Sequence, residues 1–208
     1  MADIPLRMLE LGSSIVYESG RSSGVTRAMS PNIRPLWLGA KLCGPAVPVT
    51  CAAQDNLAIH RAIERCTPGD VLVVNGRGAL VGYWGEILTV AAGYQGVAGL
   101  VIDGGARDVA AIQARGFPIF SRGIGMVGTR KRQEGHVGLP TEVGSVQVSA
   151  GDLVLGDADG VVVVAQDSVE SVLASAEQRF SYEERLMRRV EEGERTLDLL
   201  ELRGPMDT

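Results

Sequence analysis

Three charged residues, Glu86, Arg107 and Asp108, stand at the ends of apolar runs in "GEILTVAAGYQGVAGLVIDGGARD", residues 85–108. An arginine fork can grip a carboxylate through two parallel hydrogen bonds. An aspartate can hold a hard divalent cation, which takes oxygen ligands and keeps several waters. Together the three could converge on a small, metal-bound anion. Each acid also has a purely structural role open to it. Glu86 falls in the first turn of a helix, where a carboxylate stabilises the dipole, and Asp108 is an N-cap candidate for the next helix. An N-cap needs no arginine beside it, and the residues alone leave both readings open.

The elements that must position these side chains follow from periodicity and turn chemistry. "IPLRMLELGSSIVYESGR" predicts an N-terminal helix or helix pair ending at Gly20, and "PAVPVTCAA" (45–53) a strand. "DNLAIHRAIERCTPGD" sets Leu57, Ile59, Ala62 and Ile63 on an amphipathic helix that stops before Pro68-Gly69. "DVLVVNG" (70–76) reads as a strand buried on both faces. A glycine-rich connection then leads to a helix from about Glu86 to Tyr94, the strand "GLVIDGG", the helix "RDVAAIQARG" and the strand "FPIFSRG". This alternation predicts parallel βαβ units. It puts both acids at the C-terminal ends of adjacent parallel strands, where open α/β sheets bind ligands and helix N-termini offer N–H groups to anions.

The pattern changes after about residue 140. "VGSVQVSAGDLVLGDADGVVVVAQ" predicts β-hairpins, with "DADG" an Asp-Gly turn. From Asp167 to about Glu192 a charged amphipathic helix projects and ends at Gly193 as a C-cap would. Residues 1–208 are therefore expected to form a single α/β domain with a β-rich second half.

Composition removes several function classes. With 45% hydrophobic and 22% charged residues, the chain can bury a full core. A net charge of −5 argues against nucleic acid as a partner, and "RKR" at 130–132 reads as a solvated loop. No apolar run approaches membrane-spanning length, and the N-terminus lacks the organisation of a secretory signal. Cys43, Cys51 and Cys66 form no CxxC pair and read as buried thiols in a reducing cytoplasm. His60 and His136 are too far apart in sequence to suggest a zinc site. Gly76, Gly78 and Gly82 are spaced one residue longer than the dinucleotide fingerprint, even though Asp103 ends the next strand where a ribose-binding acid could sit. Tyr83 and Trp84 crowd that turn, which favours a plain βα loop. "DADG" opens like a calcium loop but lacks the later ligands.

The spacing of Glu86, twenty residues, then Arg107-Asp108, inside "GYWGEILTVAAGYQGVAGLVIDGGARDV", resembles a known family. It is that of the class II, divalent-metal-dependent pyruvate aldolases acting on 4-hydroxy-4-methyl-2-oxoglutarate and 4-carboxy-4-hydroxy-2-oxoadipate. "VYESGR" (16–21), residues 43–76, "GDLVLGDADGVVVV" (151–164) and "GERTLDLLELR" (193–203) also look like their counterparts there. The family includes RraA-like ribonuclease regulators that are not aldolases. That branch typically lacks the Asp after Arg, which this chain keeps.

The resemblance implies a swivelling β/β/α sandwich assembled as a homotrimer or homohexamer, with active sites between subunits. It implies Asp108 as the direct ligand of Mg²⁺ or Mn²⁺ and Glu86 as a water-bridged one. Arg107 would contact the carboxylate or enolate oxygen of a 2-keto acid, helped by the backbone N–H groups of Ile87 and Leu88. Glu183, or alternatively Glu184, on the C-terminal helix (167–192) of a neighbouring subunit would complete the outer shell. The best-known pattern has Asp where this chain has Glu86, one methylene longer. The implied activity is cleavage of 4-carboxy-4-hydroxy-2-oxoadipate to pyruvate and oxaloacetate, or of 4-hydroxy-4-methyl-2-oxoglutarate to two pyruvates, with secondary oxaloacetate decarboxylation. The alternative is a non-catalytic, protein-binding regulator. Because no histidine is placed by sequence, the expected base is a metal-associated water held by Glu86 or Asp108.

Overall fold

A computed structural model describes residues 4–204. The chain opens with the expected helix pair, α1 (Ile4–Leu11) and α2 (Ser13–Gly20), followed by the short strands β1 (Thr26–Ala28) and β2 (Arg34–Pro35). The βαβ region comprises β3 (Leu42–Thr50), α3 (Leu57–Ile63), β4 (Val71–Asn75), β5 (Gly82–Trp84), α4 (Glu86–Tyr94), β6 (Gly99–Ala106), α5 (Val109–Ala114) and β7 (Ile119–Ile124). The second half contributes β8 (His136–Val137), β9 (Thr141–Val143), β10 (Val146–Val148), β11 (Leu153–Gly156) and β12 (Val161–Val164), and the chain closes with α6 (Val169–Glu191) and α7 (Thr196–Leu199).

The main sheet runs β1-β12-β11-β3-β4-β6-β7-β2, with β5 paired to β6 and β8 to β3. Strands β3, β4, β6 and β7 are parallel, as the alternation predicts. Strand β3 starts three residues before the predicted Pro45 because its first part, Leu42 to Pro45, pairs antiparallel with β11. From Ala46 onward the same strand pairs with β4. One long strand thus serves two sheets that fold over each other.

Side-chain alternation accounts for the layers. On β4, Leu72 and Val74 face Ile59, Leu88 and Ile112 of α3–α5. Val71 and Val73 face the opposite way, into a core with Val154, Val161 and Val163 of β11 and β12. The outward residues of that hairpin, Leu155, Val162 and Val164, pack under Met8, Val16, Val172 and Leu173 of α1, α2 and α6. Apolar runs without alternation are what strands covered on both faces require. Each such side chain, fully buried, contributes about 1.5–3 kcal/mol.

One element departs from expectation. The "plain loop" after β4 contains β5, whose Tyr83 and Trp84 are fully buried. Trp84 stacks on Phe117 and donates from Nε1 to Thr89 Oγ1 at 2.8 Å. Helix α6 is buried only through its first turns, by Val172, Leu173 and Ala176, and its distal half stands free of the chain's own core. Its end is as predicted: the Gly193 N–H donates to Val190 O and the Glu194 N–H to Arg189 O, with Gly193 at φ +99°, a Schellman closure. Among the described residues no helix is long and apolar enough to cross a membrane.

Candidate active site

Strand β5 lies parallel to β6, so the residues following both strands leave the sheet at one edge. Gly85 and α4 follow β5, while Arg107 and Asp108 follow β6. The Arg107 N–H donates to the Trp84 carbonyl at 2.9 Å and ties the two exits together. Space is made by the glycines of "GYWG". A Cβ on Gly85 would stand 2.5 Å from Asp108 Oδ2, and one on Gly82 would stand 2.8 Å from Arg107 Cδ. The stretch buries its two aromatic rings in the core and leaves room for Arg107 and Asp108 at its two glycines.

Asp108 occupies the position before α5 but does not cap that helix as the sequence suggests. Its backbone is left-handed, φ +60° and ψ 35°, and its side chain makes no cap hydrogen bond there. Capping side chains operate from extended backbone geometry. Instead Oδ2 accepts the Glu86 N–H at 3.0 Å and closes the N-terminus of α4 across the edge. The other carboxylate oxygen makes no hydrogen bond among the described residues. A left-handed aspartate is a strained arrangement that concentrates at functional sites.

The intrahelical bonds of α4 begin with Thr89 N–H to Gly85 O, so Ile87 and Leu88 present first-turn N–H groups without helical acceptors. The Arg107 guanidinium lies beside them. Its Nε is 3.8 Å from Asp108 Oδ2, beyond hydrogen-bond range, and it makes no hydrogen bond among the described residues. Arg107, Asp108, Ile87 and Leu88 line one cleft of about 260 Å³. Glu86 does not turn into it: Oε1 accepts from Arg115 Nη2 at 2.7 Å and Nε at 3.0 Å, tying α4 to the end of α5.

The opposite wall holds residues that sequence reasoning passed over. Asn56, His60 and Lys131 line the same cleft. Asp55 anchors this wall by accepting N–H bonds from Leu57 at 3.0 Å, Arg132 at 2.7 Å and Gln133 at 3.0 Å. Burial works to raise its pKa, but those N–H bonds and Arg130 outweigh it, and the carboxyl sits below its ordinary value. The "RKR" segment is a solvent-exposed loop, as expected, and Asp55 pins its backbone to the residues just before α3. Asn56 donates from Nδ2 to the Tyr83 carbonyl at 2.8 Å, and its buried Oδ1 has no partner. His60 Nε2 is likewise buried without a partner. Burial, then the nearby Lys131, lower the imidazole pKa against the opposing pull of Glu64. His60 thus lines the cleft, a placement that the sequence did not reveal. The signal lay in "DNLAIH", which looks like an ordinary helix start.

The donor set suits a magnesium-type ion, which needs one or two carboxylates and completes its shell with waters and substrate oxygens. Asp108 supplies one carboxylate, with an open oxygen and a cradle that a Cβ at Gly85 would fill. No group of three metal-binding acids, cysteines or histidines occurs among the described residues. Glu183 is paired with Arg179 at 2.7 Å and lines a separate groove with Leu186, Met187 and Val190. A single chain does not bring it to Asp108.

Other candidates resolve structurally. Asp103 binds Arg122, with Nη2 at 3.1 Å from Oδ2, and accepts the Gly144 N–H at 3.3 Å, so it is not held open for a ribose. "DADG" closes the β11–β12 hairpin. Cys43, Cys51 and Cys66 are all buried and unbridged, and burial first, then Asp55, push the Cys51 thiol up to about 12.

The family model described as RraA-like, Aldolase/RraA, matches residues 14–163. A protein of Halalkalibacterium halodurans, provisionally named 4-hydroxy-4-methyl-2-oxoglutarate aldolase, is 38% identical over 157 residues, 75% of this chain and 74% of its own. One from Albidiferax ferrireducens with the same provisional name is 38% identical over 152 residues, 69% of this chain and 87% of its own. Among solved structures, an uncharacterized Pseudomonas syringae protein superposes with TM-score 0.86 at 27% identity, covering 96% of this chain and 92% of that one. Streptomyces coelicolor RraAS2, described as an unusual member of the RNase ES inhibitor RraA family, gives 0.80 at 28% identity over 91% and 98%. With a family model spanning most of its length and relatives of this identity, the chain belongs to the RraA-like Aldolase/RraA family.

Proposed function

We propose that this protein is a divalent-metal-dependent pyruvate aldolase. Its substrates would be 4-carboxy-4-hydroxy-2-oxoadipate, 4-hydroxy-4-methyl-2-oxoglutarate or both, with oxaloacetate decarboxylation as a secondary activity. The observation that carries the reading is the convergence of Arg107, the open oxygen of Asp108 and the first-turn N–H groups of Ile87 and Leu88 on one cleft. The provisional names of the 38%-identical relatives support it.

The chemistry follows from where negative charge develops. Breaking the C3–C4 bond of a 4-hydroxy-2-keto acid leaves the enolate of pyruvate, with charge on the C2 oxygen. Mg²⁺ or Mn²⁺ held by Asp108 would supply Lewis-acid stabilisation of that charge. Arg107 grips the 2-keto acid carboxylate with its fork and adds fixed positive charge beside the enolate oxygen. The N–H groups of α4 orient the same carboxylate. Asp108 holds α4 in register with Arg107 through the Glu86 N–H. Glu86, held by Arg115 outside the cleft, would join a water-bridged shell only by turning away from that arginine.

Assembly belongs to this reading. Both Arg107 and Asp108 side chains are 43% exposed, and the cleft is edged by apolar Ile87, 82% exposed. Enolate chemistry wants water excluded. We infer that a second copy covers this rim in a homotrimer or homohexamer and brings Glu183 of its own α6 to the site.

The test is pyruvate release from both aldol substrates, and from oxaloacetate, with Mg²⁺ and with EDTA. EDTA-sensitive release is expected from all three. The likeness to RraAS2 favours one other reading, a protein-binding regulator without turnover. Absence of any EDTA-sensitive release would select it.

A further inference from the structure

Two buried side-chain polar atoms on the α3 wall have no hydrogen-bond partner within the chain: Asn56 Oδ1 and His60 Nε2. Asn56 is 4% exposed, and its amide orientation follows from the Nδ2 donation to Tyr83 O. Both residues line the cleft that holds Arg107 and Asp108. Buried polar atoms are nearly always paired, and the exceptions gather where a ligand supplies the missing partner. For the Asn56 oxygen the missing partner is a hydrogen-bond donor, and His60 Nε2 takes one in the tautomer that carries its proton on Nδ1. Arg107 and Asp108 account for the keto and carboxylate oxygens of a 2-keto acid, none of which donates. The one donor on a 4-hydroxy-2-keto acid dianion is its C4 hydroxyl.

We propose that the single O–H of that hydroxyl is shared between Asn56 Oδ1 and His60 Nε2, and that His60 takes its proton. This rests on the aldolase reading above and deepens it. As the O–H proton moves to Nε2, the O–H electron pair becomes the second bond of the new C4 carbonyl. The C3–C4 bond breaks, and its electron pair passes to C3 and the C2 oxygen as the pyruvate enolate. The departing fragment leaves as a neutral-carbonyl keto acid, and the proton on His60 returns to C3 to give pyruvate. The imidazole must be neutral at Nε2 beforehand. Burial and the Lys131 cation favour that form, with Glu64 opposing.

Oxaloacetate has no C4 hydroxyl, and loss of CO₂ needs no base. The two activities therefore separate the α3 wall from the Arg107–Asp108 wall. The experiment measures kcat for cleavage of 4-hydroxy-4-methyl-2-oxoglutarate and for oxaloacetate decarboxylation, with Mg²⁺, in wild type, His60→Gln, His60→Gly and Asn56→Ser. General-base removal costs about 10²–10⁴-fold. The ratio of cleavage to decarboxylation should fall at least about tenfold in each folded variant, and imidazole in the buffer should restore part of the His60→Gly cleavage, which a packing defect would not allow. Equal losses in both reactions, or no loss in cleavage, would overturn the hydroxyl receptor while leaving the aldolase reading standing. Wild type inactive on both substrates would overturn both.

Discussion

Two aspartates close a helix N-terminus from across the fold, and they do it differently. Asp157, in the hairpin turn between β11 and β12, spends both oxygens on α2. Oδ2 accepts the Ser13 N–H at 2.7 Å, and Oδ1 accepts Ser13 Oγ at 2.6 Å and the Asp159 N–H at 3.0 Å. Asp108 accepts one N–H from α4 with Oδ2 and leaves its second oxygen open, from a backbone that is left-handed. The regions around them show the contrast only in part, because Arg27 Nε in the hairpin layer is also buried without a partner. In the hairpin layer Asp152 is filled by Arg27, the Ser149 N–H and the Gln166 N–H. In the βαβ layer Asn56 Oδ1 and His60 Nε2 go unpaired. Saturated polar groups hold a fold together, whereas unsaturated ones gathered in a cleft mark where something else must bind.

Asp108→Ala is the strongest way to break that comparison. Loss of the carboxylate proposed to hold the ion would remove several kcal/mol of charge stabilisation, so EDTA-sensitive turnover should fall by roughly a thousandfold or more. Loss of an exposed cap costs only about 0.5–2 kcal/mol, so the domain should stay folded. A folded Asp108→Ala protein with near-wild-type turnover would sink the site assignment.

The next test asks whether one chain suffices. A cut after Asp167 would strip Val172 and Leu173 from Met8 and Val16 and unsettle the protein's own core. A cut after Ser181 spares those contacts and removes Glu183 together with exposed Tyr182 and Met187. Turnover should be abolished and sedimentation should show a smaller particle. A fully active monomer would rule out a shared site.

Arg107→Lys keeps the charge and loses the planar fork. Losing one of two charge-assisted hydrogen bonds should lower kcat/KM by about tenfold or more. Steady-state kinetics on either aldol substrate would reveal it, and unchanged kinetics would make Arg107 a structural residue.

The smallest effect is expected on the saturated side. Asp157→Ala should lower unfolding stability by about 0.5–2 kcal/mol, read as a shifted urea midpoint, with turnover unaltered. A large loss of turnover there would erase the distinction between the two aspartates.

How much of this was legible in the sequence can be judged residue by residue. Helix α4 runs from Glu86 to Tyr94 as its pattern predicts, "DADG" is a hairpin turn, and Gly193 ends α6. Arg107 and Asp108 stand at the end of a parallel strand because an unbroken apolar run bounded by glycines has few other ways to fold. These features are encoded within about ten residues by side-chain period, turn chemistry and capping. What each polar group would touch was not encoded there. The N–H that Asp108 accepts is 22 residues away, the arginine that claims Glu86 is 29 away, and the serine that fills Asp157 is 144 away. Strand β5 was hidden because three residues carry no period, and Asn56 and His60 reached the site only through the docking of α3 against Tyr83. A carboxylate or amide has several lone pairs and no intrinsic preference among distant donors, so its partner is chosen only when sheet register and layer packing bring one donor within about 3 Å.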